Sequence, residues 1–268
     1  MAAAGTTGMS ASGSVNKVLS IEGIDVRFGG IHALRGVSFS VGNGELVGLI
    51  GPNGAGKTTM LKTILGQVKP SEGRVVLGGR DLRGDRSARR SRLGLAMSNQ
   101  IVRPFRNLSV LDNVALAAGH ALTVSPFAAI ARVSREQQRD TAMKLLKQVG
   151  IESRAAQSPA TQPLGVLKRL EVARALAIEP SVLMLDEPLA GLNHNEASRL
   201  AGTIKDLNSS GITIILIEHN LGEAQRISDR FVVLDNGTKI ADGPVAEVMA
   251  DEAVITAYLG EGWRHAKG

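Results

Sequence analysis

The chain contains no cysteine, which excludes disulfides and thiolate-ligated metal centres and fits a reducing compartment. Aromatic residues make up 3% of its 268 positions, with a single tryptophan and a single tyrosine. Leucine, valine, isoleucine and alanine must therefore fill the interior. No apolar run reaches the length that spans a bilayer. The best candidates, "ELVGLIG" and "ITIILIEH", have the length of strands. The opening residues, "MAAAGTTGMSASGSVNK", are small and polar and lack the apolar core of a secretory signal. Residues 1–17 are read as a disordered tail.

What is present is ordinary globular material, 43% hydrophobic and 21% charged, long enough to bury a sizeable core. Net charge is +6, and the densest basic patch is "RGDRSARRSR", Arg83 to Arg92. No aromatic lies near it to stack a base, so a solvated helix face is the default reading and nucleic acid is disfavoured.

Residues 18–45 alternate, with Leu19, Ile21, Ile24, Val26 and Phe28, then Val37, Phe39 and Val41 on one face. The phase changes at Gly23, which predicts a bulge in an antiparallel sheet. "ELVGLIG", "SVLMLDE" and "ITIILIEH" are continuous apolar runs with helical patterns between them. Such runs are strands covered on both faces, so the core is a parallel α/β sheet. From residue 107 to about 160 no strand is convincing, and helical stretches dominate. Within "REQQRDTAMKLLKQVG", Met143, Leu145, Leu146 and Val149 are read as one apolar face, closed by Gly150. Pro244 suits a first helical turn near the C-terminus.

"GLIGPNGAGKTTMLKTILG" carries Gly51, Pro52, Asn53, Gly54, Ala55, Gly56, Lys57, Thr58 and Thr59 in the order of a phosphate-binding loop. A buried strand precedes it and an amphipathic helix of Met60, Leu61, Ile64 and Leu65 follows, which a chance glycine-rich turn would not explain. Glycines let successive N–H groups face phosphate oxygens, and the helix N-terminus adds partial positive charge. Lys57 can reach the outer phosphates, and Thr58 can ligate Mg²⁺. Asp186 ends a buried strand, where open α/β sheets bind ligands, and can hold Mg²⁺. Glu187 beside it is assigned to polarise an attacking water. His219 ends a parallel strand and reaches the same edge, where it can contact a γ-phosphate. Gln100 follows "RLGLAMSN" at the junction with the helical region.

These residues together resemble the ATP-binding cassette subunit of ABC transporters, from about Leu19 to Gly260. The likeness is greatest to the ATPase subunits of branched-chain amino-acid importers and their amide and urea relatives. "RFGGIHAL", "QIVRPFRNLSVLDNV", "LDEPLAGLN", "IEHN" and "AYLGEGW" carry it. The resemblance implies a P-loop NTPase (RecA-like) parallel core with an N-terminal antiparallel β-subdomain and an inserted α-helical subdomain. The cassette would cover 18–260, with the insert at about 101–162 and a tail at 261–268.

The resemblance also implies roles. Phe28 would stack on adenine, Gln100 would join the nucleotide and its Mg²⁺ to the helical insert, and His219 would be the switch histidine. The family's signature loop is degenerate here: Gln162-Pro163-Leu164-Gly165-Val166 keeps only the second glycine. Gly165 would face, in trans, the ATP of a second ATPase subunit, a paralogue or the same chain, and a helix starting near Val166 would aim its N-terminus at that phosphate. The implied partners are membrane permeases and, indirectly, an extracytoplasmic solute-binding protein. The implied location is the cytoplasmic face of the inner membrane. An exporter subunit for lipid or lipopolysaccharide and a soluble ATPase acting on nucleic acid are the rival readings.

Overall fold

The structure, a computed structural model, describes residues 17–98, 104–120 and 135–259. The tails at 1–16 and 260–268, and Gln100, lie outside the described residues.

Strands β1 (Lys17–Phe28) and β2 (Ile31–Gly42) form a hairpin. It joins β4 (Glu72–Leu77) and β5 (Arg80–Asp81) in an antiparallel sheet of order β2-β1-β4-β5. The bulge expected at Gly23 is present: the β1–β2 register shifts between Ile21 and Ile24, and the Gly23 N–H donates to Ser38 Oγ at 2.8 Å.

The second sheet runs β10-β9-β3-β8-β7-β6. Its members are β3 (Leu46–Ile50), β6 (Leu95–Ser98), β7 (Val182–Asp186), β8 (Thr213–Ile217), β9 (Arg230–Asp235) and β10 (Thr238–Pro244). Its first five sequential strands pair in parallel, and β10 closes one edge antiparallel to β9. Alternate residues of the central strands enter different cores, as a period of two requires. Leu183, Leu185, Ile214 and Leu216 face one cluster. Val182, Met184, Ile215 and Ile217 face the cluster shared with the antiparallel sheet. This is why these strands read as unbroken apolar runs.

Helices cover both faces. The helix α1 (Lys57–Ile64) follows β3, and the short α2 (Ser87–Arg92) precedes β6. The inserted α3 (Val110–His120) and α4 (Arg135–Gln148) pack with α5 (Leu164–Leu176). The apolar stripe is Ala142 and Leu146 of α4 with Val149 just beyond its end, all buried, and Leu145 packs part-buried on the same core, while Met143 is exposed. Positions 142, 146 and 149 follow helical spacing, whereas 143 is turned a further 100° or so away. Next come α6 (His194–Ser209) and α7 (Leu221–Ile227). In α6, Ala197, Leu200, Ala201, Ile204 and Leu207 are buried, each large side chain contributing about 1.5–3 kcal/mol. The chain ends in α8 (Val245–Ala250) and α9 (Glu252–Leu259), with Pro244 at the N-cap of α8 and not within its first turn.

The basic patch is mostly spoken for internally. Arg90 is buried, and its guanidinium donates to the carbonyls of Thr63, Ile64, Leu82 and Asp85. It thereby caps the C-terminus of α1. Arg80 and Arg89 pair with Asp85, and Arg83 pairs with Asp81. Among the described residues, no helix is long and apolar enough to cross a membrane.

Candidate functional site

The site is built where β3 turns into α1. Gly51 has φ 144, and a Cβ there would lie 2.0 Å from the Leu234 carbonyl oxygen, so only glycine fits. Gly56, the N-cap of α1, has φ 100, and its Cβ would meet the Ala33 oxygen at 2.7 Å. The turn at Asn236–Gly237 backs the loop: the Gly237 N–H donates to the Ala55 carbonyl at 3.2 Å. Lys57 is buried, and its ammonium donates to the carbonyls of Gly51 at 2.7 Å and Pro52 at 2.9 Å. Burial lowers its pKa, while the charges of Glu187 and Asp186 raise it.

A cleft of about 550 Å³ opens over this loop. Asn53, Lys57, Thr58, Glu187 and His219 line it together with the Ile31–Ala33 segment of β2. Thr58 Oγ1 donates to Asp186 Oδ1 at 3.4 Å. Asp186 is 2% exposed at the tip of β7. Its carboxyl is pushed up by burial first and by the adjacent Glu187 charge second, against the pull of Thr58, Lys62 and Lys57. The positive charge near Asp186 thus does not offset its burial and its acidic neighbour. A hydroxyl and a carboxylate are hard oxygen ligands, so the donor set suits a divalent cation that also takes oxygens from phosphate and water.

Glu187 has φ 51 and is one of three described non-glycine residues with positive φ. Its N–H donates to the Ile217 carbonyl at 3.0 Å. Its carboxylate lies 2.7 Å from His219 Nε2, so the two residues meet at the cleft as their strand-end positions predict.

Phe28 sits at the end of β1, half exposed and paired with Ile31. The cleft wall on this side is Gly30, Ile31, His32 and Ala33, so the ring borders the cleft and does not line it. Gly165 belongs to a different cleft, with Pro163, Val166, Arg169, Glu196 and Arg199. Helix α5 begins at Leu164, capped by Pro163, not near Val166. The Pro163 carbonyl accepts from the N–H groups of Val166 and Leu167, which draws Gly165 into the first turn.

Three residues that sequence reasoning missed also hold the site. Lys168 of α5 donates to the Glu187 carbonyl at 2.9 Å. Glu218, buried after β8, accepts the Leu189 N–H at 2.7 Å. Tyr258 of α9 accepts the Gly51 N–H at 2.5 Å. For Glu218 and Tyr258 the sequence signal is a charge or hydroxyl placed in an otherwise apolar segment, whereas Lys168 stands beside Arg169 and Glu171 and carries none.

A glycine loop between a buried strand and a helix, with paired acids on the next strand but one, defines a P-loop nucleoside triphosphatase. The family model described as "ABC transporter" matches residues 34–190, and "Branched-chain amino acid ATP-binding cassette transporter" matches 238–263. The chain belongs to the ABC transporter ATP-binding family. It is 37% identical over 250 residues to the high-affinity branched-chain amino acid transport ATP-binding protein LivG of Salmonella typhimurium, covering 91% of this chain and 98% of the relative. The ADP conformation of an ABC transporter cassette superposes with TM-score 0.80 at 30% identity, covering 91% of this chain and 99% of that one. The dimeric structure of a bacterial ABC transporter cassette gives TM-score 0.74 at 25% identity, covering 85% and 98%.

Proposed function

We propose that this chain is the ATP-hydrolysing subunit of an importer for branched-chain amino acids or related amides. The observation that carries the reading is the convergence of Lys57, Thr58, Asp186, Glu187 and His219 on one cleft. The matched segment at 238–263 supports the importer branch over the exporter.

ATP is the substrate. The amides of the 51–59 loop and the Lys57 ammonium receive its phosphates. Thr58 and Asp186 would hold Mg²⁺, with Gln100 expected to join them; the ion would neutralise charge developing on the transferred phosphoryl group. Glu187 accepts a hydrogen bond from water and aims its oxygen at the γ-phosphorus. The bond to the leaving ADP oxygen breaks as the bond to water forms. His219 holds the Glu187 carboxylate in place. Phe28, at the cleft border, packs against adenine.

Gly165 faces the nucleotide of a second ATPase subunit, a paralogue or another copy, so the pair closes around two nucleotides. Closure is favoured by contacts made only in the closed state. An apolar cleft on the helical insert, lined by Phe105, Leu116, Ala117 and Ile178, receives the membrane permease. Phe105 is half exposed there, with the Arg174 guanidinium 5.4 Å from its ring centroid. Binding to permeases places the subunit at the cytoplasmic face of the membrane, with the solute-binding protein engaged only through them.

Nucleotide titration of wild type and Lys57→Ala tests the site: the variant loses ATP affinity, and unaltered affinity overturns the loop assignment. Glu187→Gln abolishes turnover and leaves ATP-bound pairs; hydrolysis at the normal rate overturns the role of the acid. Purification of the intact complex identifies the permeases, and export permeases would overturn the importer reading.

A further inference from the structure

Glu187 is held at three points. Ile217 takes its N–H, His219 meets its carboxylate, and its carbonyl receives Lys168 Nζ at 2.9 Å. The first two anchors come from β8 and the residues just after it. The third comes from α5, three residues beyond Gly165.

A lysine 5% exposed is unusual. Burial pushes its ammonium pKa down, and Glu218, Glu187, Asp186 and Glu171, in that order, hold it up. It is therefore a counter-charge set among acids as well as a donor to one carbonyl. Its partner carbonyl belongs to a residue at φ 51, a conformation that persists in a non-glycine residue only where the surroundings impose it.

We propose that Lys168 is a positioning residue for Glu187. Its ammonium fixes the left-handed main chain at 187, and so keeps the carboxylate on His219 and over the cleft. Helix α5 consequently links the first turn around Gly165 to the acid of this chain's own cleft. A displacement of that turn reaches Glu187 through one hydrogen bond. The proposal rests on the ATPase reading of the cleft.

The test compares Lys168→Met, Lys168→Gln and Lys168→Arg in the full chain assembled with its permeases. Methionine keeps the buried stem and removes the charge. Its kcat is expected to fall by about tenfold or more, with ATP affinity by direct titration within about twofold of wild type. Arginine restores most of the rate. A Lys168→Met kcat within twofold of wild type overturns the proposal, as does an equal loss of kcat in the arginine variant. If the methionine variant does not fold, Gln against Arg decides: a slower Gln variant supports the role, and equal rates overturn it. Failure of the underlying reading is separate, because wild type would then neither bind nor hydrolyse ATP.

Discussion

Glu218 should make this protein less stable as pH rises, and replacing it with glutamine should remove that dependence. The side chain is 2% exposed. Burial pushes its carboxyl from an ordinary 4.5 up to about 7, against hydrogen bonds from the N–H groups of Leu189, His219 and Asn220 that pull it down. The unfolded chain releases this proton near 4.5, and the folded chain keeps it to about 7. Between those values folding takes up a proton, so stability falls as pH rises through the window. Below it the penalty is absent, and above it the penalty is complete. The interval from 4.5 to about 7 corresponds to about 3 kcal/mol in all. Part of this penalty is already present at pH 5, just above the unfolded value, so about 2 kcal/mol of it develops between pH 5 and pH 8. Glutamine keeps an oxygen for the Leu189 N–H and cannot ionise. Its two amide hydrogens add a term that does not depend on pH, so the comparison is between two pH values. Urea unfolding at pH 5 and pH 8 should show the advantage of Glu218→Gln over wild type growing by about 2 kcal/mol, or roughly 4–8 °C in Tm. An advantage that is the same at both pH values would refute the argument, as would a wild type that gains on the variant at pH 8.

Two other substitutions probe the frame of the site. Tyr258→Phe keeps the ring and removes the acceptor of the Gly51 N–H, 2.5 Å away. It should lower stability by about 1–2 kcal/mol and weaken ATP binding several-fold by direct titration, whereas unchanged affinity would make Tyr258 a packing residue only. Arg90→Met removes a donor from four main-chain carbonyls at the end of α1 and in the loop beyond β5, of which those of Thr63 and Leu82 keep the N–H groups of Gly66 and Asp85. Chemical denaturation should show a loss of about 3 kcal/mol or more, while Arg92→Ala, exposed on α2, stays within about 0.5 kcal/mol.

Arg90 and Arg92 show what a sequence can and cannot disclose. Both stand in one run of charges and look alike there. Only the fold shows that Arg90 lies within reach of the carbonyls that α1 leaves open at its C-terminus. The phosphate loop was legible because its requirements are local: positive φ at Gly51 and Gly56, a lysine one position on, a buried strand before and a helix after. Asp186, Glu187 and His219 were legible because parallel strands deliver their C-terminal ends to one edge, and strand ends can be counted. Lys168 and Tyr258 were not, because their partners are 19 and 207 residues away and are main-chain atoms. A main-chain carbonyl or N–H has no residue identity for a pattern to match. The helix register of α5 misled for a related reason. Proline before an expected helix suggests a loop running on to Val166, yet its fixed φ also suits an N-cap, and its free carbonyl starts the helix two residues earlier at Leu164. Gly165 thereby lies one turn from Lys168 on a rigid element. On the proposed positioning role of Lys168, the placements of Gly165 and of Glu187 become a single problem in this chain, and a change at either end of that turn should be felt at the other.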